Sequence, residues 1–259
     1  MISRYIYPYW LREKITYRLS KYLDKQSWTD QETALAFAPG MVMRLQPGDI
    51  GHASIRVNGF YELSLSRYIT KLAKPGGMMV DAGANYGYFS LLWLAQNNKN
   101  QCVAFEAAPD NLPPLTANIA RNNLSGRITL VANALSNQDG VVPFTLENAS
   151  GQTGWGGIAR PGDSQTINVP AVTLDHYWSE NFRELNIDVL KIDVEGADTL
   201  VLLGARQLLA EHRIRHIFFE VNRPRMERLQ IPEHQARELL AACGYRMEQI
   251  APHEMHAYR

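Results

Sequence analysis

Met78-Met-Val-Asp-Ala-Gly-Ala-Asn-Tyr-Gly-Tyr-Phe89 reads as a strand, a turn and the start of a helix. Met78, Met79 and Val80 form a short apolar run that predicts a buried strand, with Asp81 at its end. Gly83, Asn85 and Gly87 then alternate through a turn, and Tyr88-Phe-Ser-Leu-Leu-Trp-Leu-Ala95 continues with helical character. Gly83 and Gly87 take positive φ without strain. Asparagine tolerates the left-handed region best among side-chain-bearing residues, so Asn85 can replace a middle glycine. The result is a strand, a tight loop and a helix, and the unpaired N–H groups at the helix start favour an acceptor or anionic group of a ligand.

Spacing narrows the ligand. A dinucleotide loop needs glycine at its first, third and sixth positions, which counted from Gly83 hold Gly83, Asn85 and Tyr88. Tyr88 is too large for the close helix–strand contact of the last glycine, which disfavours the rival reading, a nicotinamide-dependent reductase. A second apolar run, Cys102-Val-Ala-Phe105, ends in Glu106, about 20 residues beyond the loop, where an acid accepts hydrogen bonds from both hydroxyls of a ribose.

Upstream, residues 43–58 read as short strands with Asn58-Gly59 as a hairpin turn, and residues 63–74 as a helix. Glu62, at the head of that helix, either meets the helix dipole or looks into the cofactor cleft. Downstream, a helix at 109–123 and a strand at 127–132 complete a β-α-β-α-β alternation, which predicts an α/β, doubly wound, mostly parallel sheet. Residues 141–146 and 166–172 read as a two-strand insertion before the fourth strand. They flank a glycine-rich loop, 148–162, whose Trp155 is expected to bind the acceptor as part of a lid. The fourth strand, 187–192, leads into Asp193-Val-Glu-Gly196 and one helix, 197–212; the fifth, 214–219, ends in Glu220-Val-Asn222. A helix at 232–243 and strands at 245–250 and 253–259 follow.

Residues 1–45 read as an N-terminal extension or cap on a single domain, 46–259. Residues 1–26 read as one or two helices in which Leu11, Ile15, Leu19 and Leu23 recur every four residues, the stripe of a helix facing its own core, with a homodimer contact, a cap over the cleft or a weak membrane-surface helix as alternatives. Lysine plus arginine and aspartate plus glutamate both number 26, so no global attraction to nucleic acid or an anionic membrane is expected. Two cysteines, Cys102 and Cys243, suit a reducing, cytoplasmic setting. No apolar run reaches the roughly 18–20 residues of a transmembrane segment, and the histidines lack zinc spacing.

Six stretches together resemble the FkbM-type family of S-adenosyl-L-methionine (SAM)-dependent methyltransferases. They are Val-Asp-Ala-Gly-Ala-Asn-Tyr-Gly-Tyr-Phe-Ser (80–90), Ala-Phe-Glu-Ala-Ala-Pro (104–109), Asn-Ala-Leu-Ser-Asn-Gln-Asp-Gly (133–140), Thr-Leu-Asp (173–175), Leu-Lys-Ile-Asp-Val-Glu-Gly-Ala (190–197) and Phe-Glu-Val-Asn (219–222). The resemblance spans roughly residues 45–222 and departs from the family's usual residue at Ala107. It implies a class I methyltransferase fold, Rossmann-like, with SAM as cofactor and methyl transfer to an oxygen of a small-molecule, sugar or natural-product acceptor. A SAM-binding module without turnover is the non-enzyme alternative. Carried over by position, Asp81, Gly83, Asn85 and Gly87 would line the methionine and ribose side of SAM, Glu106 the ribose hydroxyls, and Asn133, Ala134 and Leu135 the adenine. Glu62 joins them as a cofactor-side candidate.

Asp193, Glu195, Glu220 and Asn222 are the expected catalytic, acceptor-side set. Residues two apart on an extended segment point the same way, and the fourth and fifth strands should be neighbours. Carboxylates that close together need a raised pKa on one member or a bound cation. A metal-free general base is preferred here over an oxygen-ligated Mg²⁺ or Ca²⁺ site, because these oxygens do not specify an ion as a cysteine–histidine pattern specifies zinc.

Overall fold

The computed structural model describes residues 32–146, 151–160, 162, 163 and 165–259. The one or two helices expected over residues 1–26, with their cap or homodimer contact, lie outside the described residues. The chain opens with an antiparallel hairpin, β1 (Glu32–Leu35) and β2 (Ala38–Arg44), then α1 (Ile50–Asn58), α2 (Leu63–Leu72), β3 (Met78–Ala82), α3 (Tyr88–Gln96), β4 (Gln101–Phe105), α4 (Leu112–Arg121) and β5 (Ile128–Val131). An insertion follows: β6 (Ala134–Leu135), β7 (Gly140–Thr145), β8 (Gly157–Ile158) and β9 (Thr166–Val172). The main fold resumes with α5 (Leu174–Asn181), β10 (Ile187–Ile192), α6 (Asp198–Leu203), α7 (Arg206–Ala210), β11 (Ile214–Glu220), α8 (Arg223–Arg228), α9 (Gln235–Ala242), β12 (Arg246–Gln249) and β13 (Glu254–Tyr258).

Among the described residues seven strands form the main sheet in the order β12-β13-β11-β10-β3-β4-β5. β3 pairs parallel with both β4 and β10, β10 with β11, and β4 with β5; β13 runs antiparallel to both its neighbours. The chain first winds outward from β3 to β4 and β5, then crosses to β10 and β11. That reversal opens a crevice beyond the carboxyl ends of β3 and β10.

Every residue of β3 is buried, as expected of a strand covered on both faces. Successive side chains alternate between the two cores. Val80, Val103, Leu190 and Ile217 pack with Trp178, Leu202 and Leu209 on one face. Met79, Ala104, Val189 and Phe218 pack with Ile69, Trp93 and Leu115 on the other. Leu35, Ala38 and Met43 of the hairpin belong to this second core. The insertion pairs as a separate sheet, β6-β9-β7-β8, around Val142, Phe144, Val169 and Ala171. No helix among the described residues is long and apolar enough to cross a membrane.

Three local expectations are corrected. Asn58-Gly59 is no hairpin turn but the end of α1: Gly59 has φ 80° and its N–H donates to Ile55 O at 2.7 Å. Asp49 caps the other end by accepting from His52 N–H at 2.8 Å. Helix caps at both ends outweigh a two-residue turn signal. The helix expected over 197–212 divides at Gly204, because a Cβ there would lie 2.0 Å from Ser136 O, so the insertion's backbone presses on it. The short α8 was not foreseen; Asn222 caps it, accepting from Arg225 N–H.

Candidate active site

Loops after β3, β4, β10 and β11 enclose a cavity of about 450 Å³. Gly83, Asn85 and Gly87 all take positive φ, at 76°, 51° and 90°. Gly83 is required sterically, since a Cβ would sit 2.0 Å from Asp193 O. Glu106 fixes the loop: Oε2 accepts from Asn85 N–H at 2.6 Å and Oε1 from Ala108 N–H at 2.8 Å. Burial raises its pKa, against the pull of those backbone bonds. Each carboxylate oxygen keeps acceptor capacity for a ligand hydroxyl. Asn133, Ala134 and Leu135 line the cavity beside Phe105 and Ala107, on the β4–β5 side.

Asp81 and Gly87 do not line the cavity; they work beneath it. Asp81 is fully buried, with Oδ2 accepting from Ser90 Oγ at 2.7 Å and Oδ1 lying 3.2 Å from Lys191 Nζ. Lys191, not singled out from sequence, donates to Gly83 O at 2.9 Å and stands 3.6 Å from Asp193 Oδ2. Burial alone would lower its pKa, but Asp81, Asp193 and Glu62 outweigh that and hold it above its ordinary value. The ammonium thus joins the glycine loop to the turn after β10. Its signal in the sequence is a lysine inside an apolar strand; the partner, Asp81, emerges only from the parallel register.

Asp193, Glu195, Glu220 and Asn222 line the cavity on the β10–β11 side, and Glu62 lines it from the segment before α2. The alternation expected for Asp193 and Glu195 is not what brings them together. Glu195 has φ 58° and Gly196 φ 87°, a turn rather than an extended strand end. Glu195 Oε2 lies 3.1 Å from Arg225 Nε, yet burial and the Asp193 charge push its pKa up to about 8. Burial and Asp193 also raise Glu220. Asn222 donates to Glu220 Oε2 at 3.4 Å while capping α8 with its own oxygen. Buried Asp198, also missed, accepts from Glu220 N–H at 2.8 Å and Val194 N–H at 3.3 Å, tying the ends of β10 and β11 together. Burial and Asp193 lift it to about 8. Among the described residues no group of three or more His, Cys, Asp or Glu side chains is placed to hold a metal ion.

The described part of the glycine-rich loop crosses the cavity. Thr153 N–H and Oγ1 donate to Asp49 Oδ2 at 2.7 and 2.9 Å, and Asn85 Nδ2 donates to Thr153 Oγ1 at 3.0 Å. Arg225 Nη1 donates to Trp155 O at 3.1 Å, and the Trp155 residue stays 42% exposed at the mouth. Gly157 passes so close to Glu195 that a Cβ would meet Glu195 Cβ at 3.2 Å.

A seven-stranded sheet in this order, with one reversed strand next to the far edge and a glycine loop at the crossover, defines a class I methyltransferase fold. The family model of the methyltransferase FkbM domain matches residues 81–247, and the chain belongs to that family. It is similar to the 2-O-methyltransferase NoeI of Sinorhizobium fredii, 28% identical over 188 residues that cover 66% of this chain and 74% of that one. Methyltransferase sdnD of Sordaria araneosa is 29% identical over 59% of this chain and 69% of its own. A crystal structure of methyltransferase FkbM from Methylobacillus flagellatus KT aligns with 96% of this chain at TM-score 0.47 and 13% identity; the present chain spans 60% of that one.

Proposed function

We propose that the protein is a SAM-dependent methyltransferase that methylates a hydroxyl oxygen of a small-molecule acceptor, a sugar or another natural product. The observation that carries this is a single cavity with two unlike sides. One bears the 83–87 loop, Glu106 and the apolar Phe105, Ala134 and Leu135; the other bears Asp193, Glu195, Glu220 and Asn222. The first side fits SAM by its donors and acceptors. A carboxylate meets a ribose, an apolar slot with the Asn133 amide meets an adenine, and a glycine loop lets the backbone approach closely. When bound, SAM supplies an activated methyl group on a sulfonium. The family membership and the 2-O-methyltransferase among its relatives support transfer to oxygen.

The chain's own work is to align the acceptor and handle its proton. Holding the reacting atoms in line is worth about 7–11 kcal/mol. Asp193 and Glu220 accept the hydroxyl proton, Asn222 orients Glu220, and Arg225 holds Glu195 at the rim. Trp155 and the segment preceding residue 46 select the acceptor. The two unpaired cysteines support a cytoplasmic setting.

Calorimetry with SAM and S-adenosylhomocysteine (SAH), then mass spectrometry on a panel of hydroxylated acceptors, tests this. Asp193→Asn and Glu220→Gln should each lower turnover about tenfold or more with SAH still bound. Failure of both ligands to bind, or binding of NADH in their place, overturns it.

A further inference from the structure

Two residues of the insertion loop, Gln152 and Thr153, are bound to separate segments of the main fold. Gln152 Nε2 donates to Gly48 O at 2.8 Å, and its Oε1 accepts from Ile50 N–H at 3.0 Å. Thr153 O accepts from Asn111 Nδ2, just before α4, at 3.0 Å. Thr153 N–H and Oγ1 both donate to Oδ2 of buried Asp49, whose Oδ1 caps α1. Asp49, Asn85, Glu106, Asn111, Gln152 and Thr153 all line the cavity. These contacts tie the loop to the glycine-loop side of the cavity, away from Asp193 and Glu220.

A hydroxyl has one proton to give. That of Thr153 goes to the Asp49 carboxylate at 2.9 Å, the stronger acceptor, so toward Asn85 the same oxygen can only accept. Both ends of the Asn85 amide are within reach of it, Nδ2 at 3.0 Å and Oδ1 at 3.2 Å, and an accepting hydroxyl selects Nδ2. Oδ1 is then left to accept from Tyr86 N–H at 2.6 Å. Asn85 is thereby held by its side chain in a left-handed conformation, φ 51°, in which its own N–H donates to Glu106 Oε2 at 2.6 Å. A continuous chain of hydrogen bonds runs from Asp49 through Thr153 and Asn85 to Glu106, the carboxylate read as the ribose acceptor.

We propose that Thr153 is a positioning residue for the methyl donor: its hydroxyl, oriented by Asp49, fixes Asn85 so that the Asn85 N–H aims the Glu106 carboxylate at the two ribose hydroxyls of SAM. The proposal rests on the methyltransferase reading and deepens it, because it gives the insertion loop a part in donor binding besides the acceptor contact of Trp155. Thr153 acts through Asn85 and Glu106 rather than by touching the donor. Replacing it with valine keeps the shape of the side chain and removes only the hydroxyl. The Thr153 N–H, the Thr153 O and both Gln152 contacts remain to anchor the loop, while Asn85 Nδ2 loses its partner.

The test compares two probes by calorimetry, SAH and 2′,3′-dideoxy-SAH, which lacks both ribose hydroxyls, on the wild type, Thr153→Val and Thr153→Ser. Thr153→Val should weaken SAH about fivefold or more and the dideoxy analogue less than about twofold, with circular dichroism showing it folded. Thr153→Ser, which keeps the hydroxyl, should bind SAH within about twofold of the wild type. In a Glu106→Ala background Thr153→Val should add less than about twofold to the loss of SAH affinity, a second measure that needs no analogue. Equal losses for SAH and the analogue, or a full further loss in the Glu106→Ala background, assign Thr153 a merely structural role and overturn the proposal. An unchanged SAH affinity in Thr153→Val, or a loss in Thr153→Ser as large as in Thr153→Val, overturns it too, and each of these results leaves the cofactor reading standing. No SAH binding by the wild type overturns both.

Discussion

Replacing Lys191 with methionine removes a buried cation from between two carboxylates while nearly keeping the volume of its stem. The side chains of Lys191 and Asp81 are 3% and 1% exposed and lie 3.2 Å apart. At an effective dielectric constant of about 20 their gross attraction is about 5 kcal/mol. Desolvation offsets much of that in the intact pair, but breaking the pair strands Asp81 in the core with Ser90 as its remaining partner, at about 3–5 kcal/mol. Gly83 O loses its donor as well, adding about 1 kcal/mol. The total, about 4–6 kcal/mol, is a large part of the 5–15 kcal/mol typical of a folded domain. Urea unfolding measures it as a shift of midpoint at unchanged slope. Adding Asp81→Asn should recover most of the first contribution but not the second. SAH affinity should stay reduced in the double variant, because the glycine loop still lacks its tie to β10. A loss below about 1 kcal/mol in Lys191→Met, or a double variant no more stable than the single, would refute the reasoning.

Stability should fall as pH rises from about 5 to 8. Glu195 and Asp198 at about 8 and Glu254 at about 7, against ordinary values of 4.5, 3.8 and 4.5, mean that the folded state holds protons the unfolded chain has lost. An unfolding midpoint that is flat or climbs over that window contradicts this. Gly83→Ala should cost about 2–6 kcal/mol in the same assay, from the 2.0 Å approach of its new Cβ to Asp193 O and the positive φ; a change under about 0.5 kcal/mol refutes the close approach. Trp155→Ala should lower acceptor turnover about tenfold while SAH affinity changes less than about twofold, and equal losses in both would assign Trp155 a merely structural role.

The sheet was legible because its strands are short apolar runs and the 83–87 loop names its own geometry: every left-handed position fell on Gly83, Asn85 or Gly87. Glu106 and Asn133–Leu135, expected on the cofactor side, come straight after strands, so strand order alone delivers them to the cavity. What stayed hidden depends on contacts distant in sequence. Lys191 and Asp81 are 110 positions apart and meet only through parallel pairing. Asp198 is an ordinary first-turn acid until the ends of β10 and β11 are seen to share it. The arrival of Glu254 beside Glu220 requires knowing that the reversed β13 lies beside β11, which no local periodicity encodes. Asn58-Gly59 misled because Asn-Gly suits a hairpin and a helix end alike, and the Asp49 cap nine residues upstream of Asn58 is what decides.

The insertion carries its own small apolar core, Val142, Phe144, Val169 and Ala171, and its strands pair with each other rather than with the main sheet. It leaves the sheet after β5 and returns through α5 to β10, touching the carboxylate turn at Gly157 and Glu195. Such a unit is only partly exchangeable: β7, β8 and the loop can be rewritten, or grafted from a related chain, as long as Thr153 keeps its contact with Asn85 of the 83–87 loop and Ala134 and Leu135 stay on the cavity wall. A graft must therefore be matched at two seams, the 156–157 and 195–196 junction and the contact of Thr153 with the glycine loop.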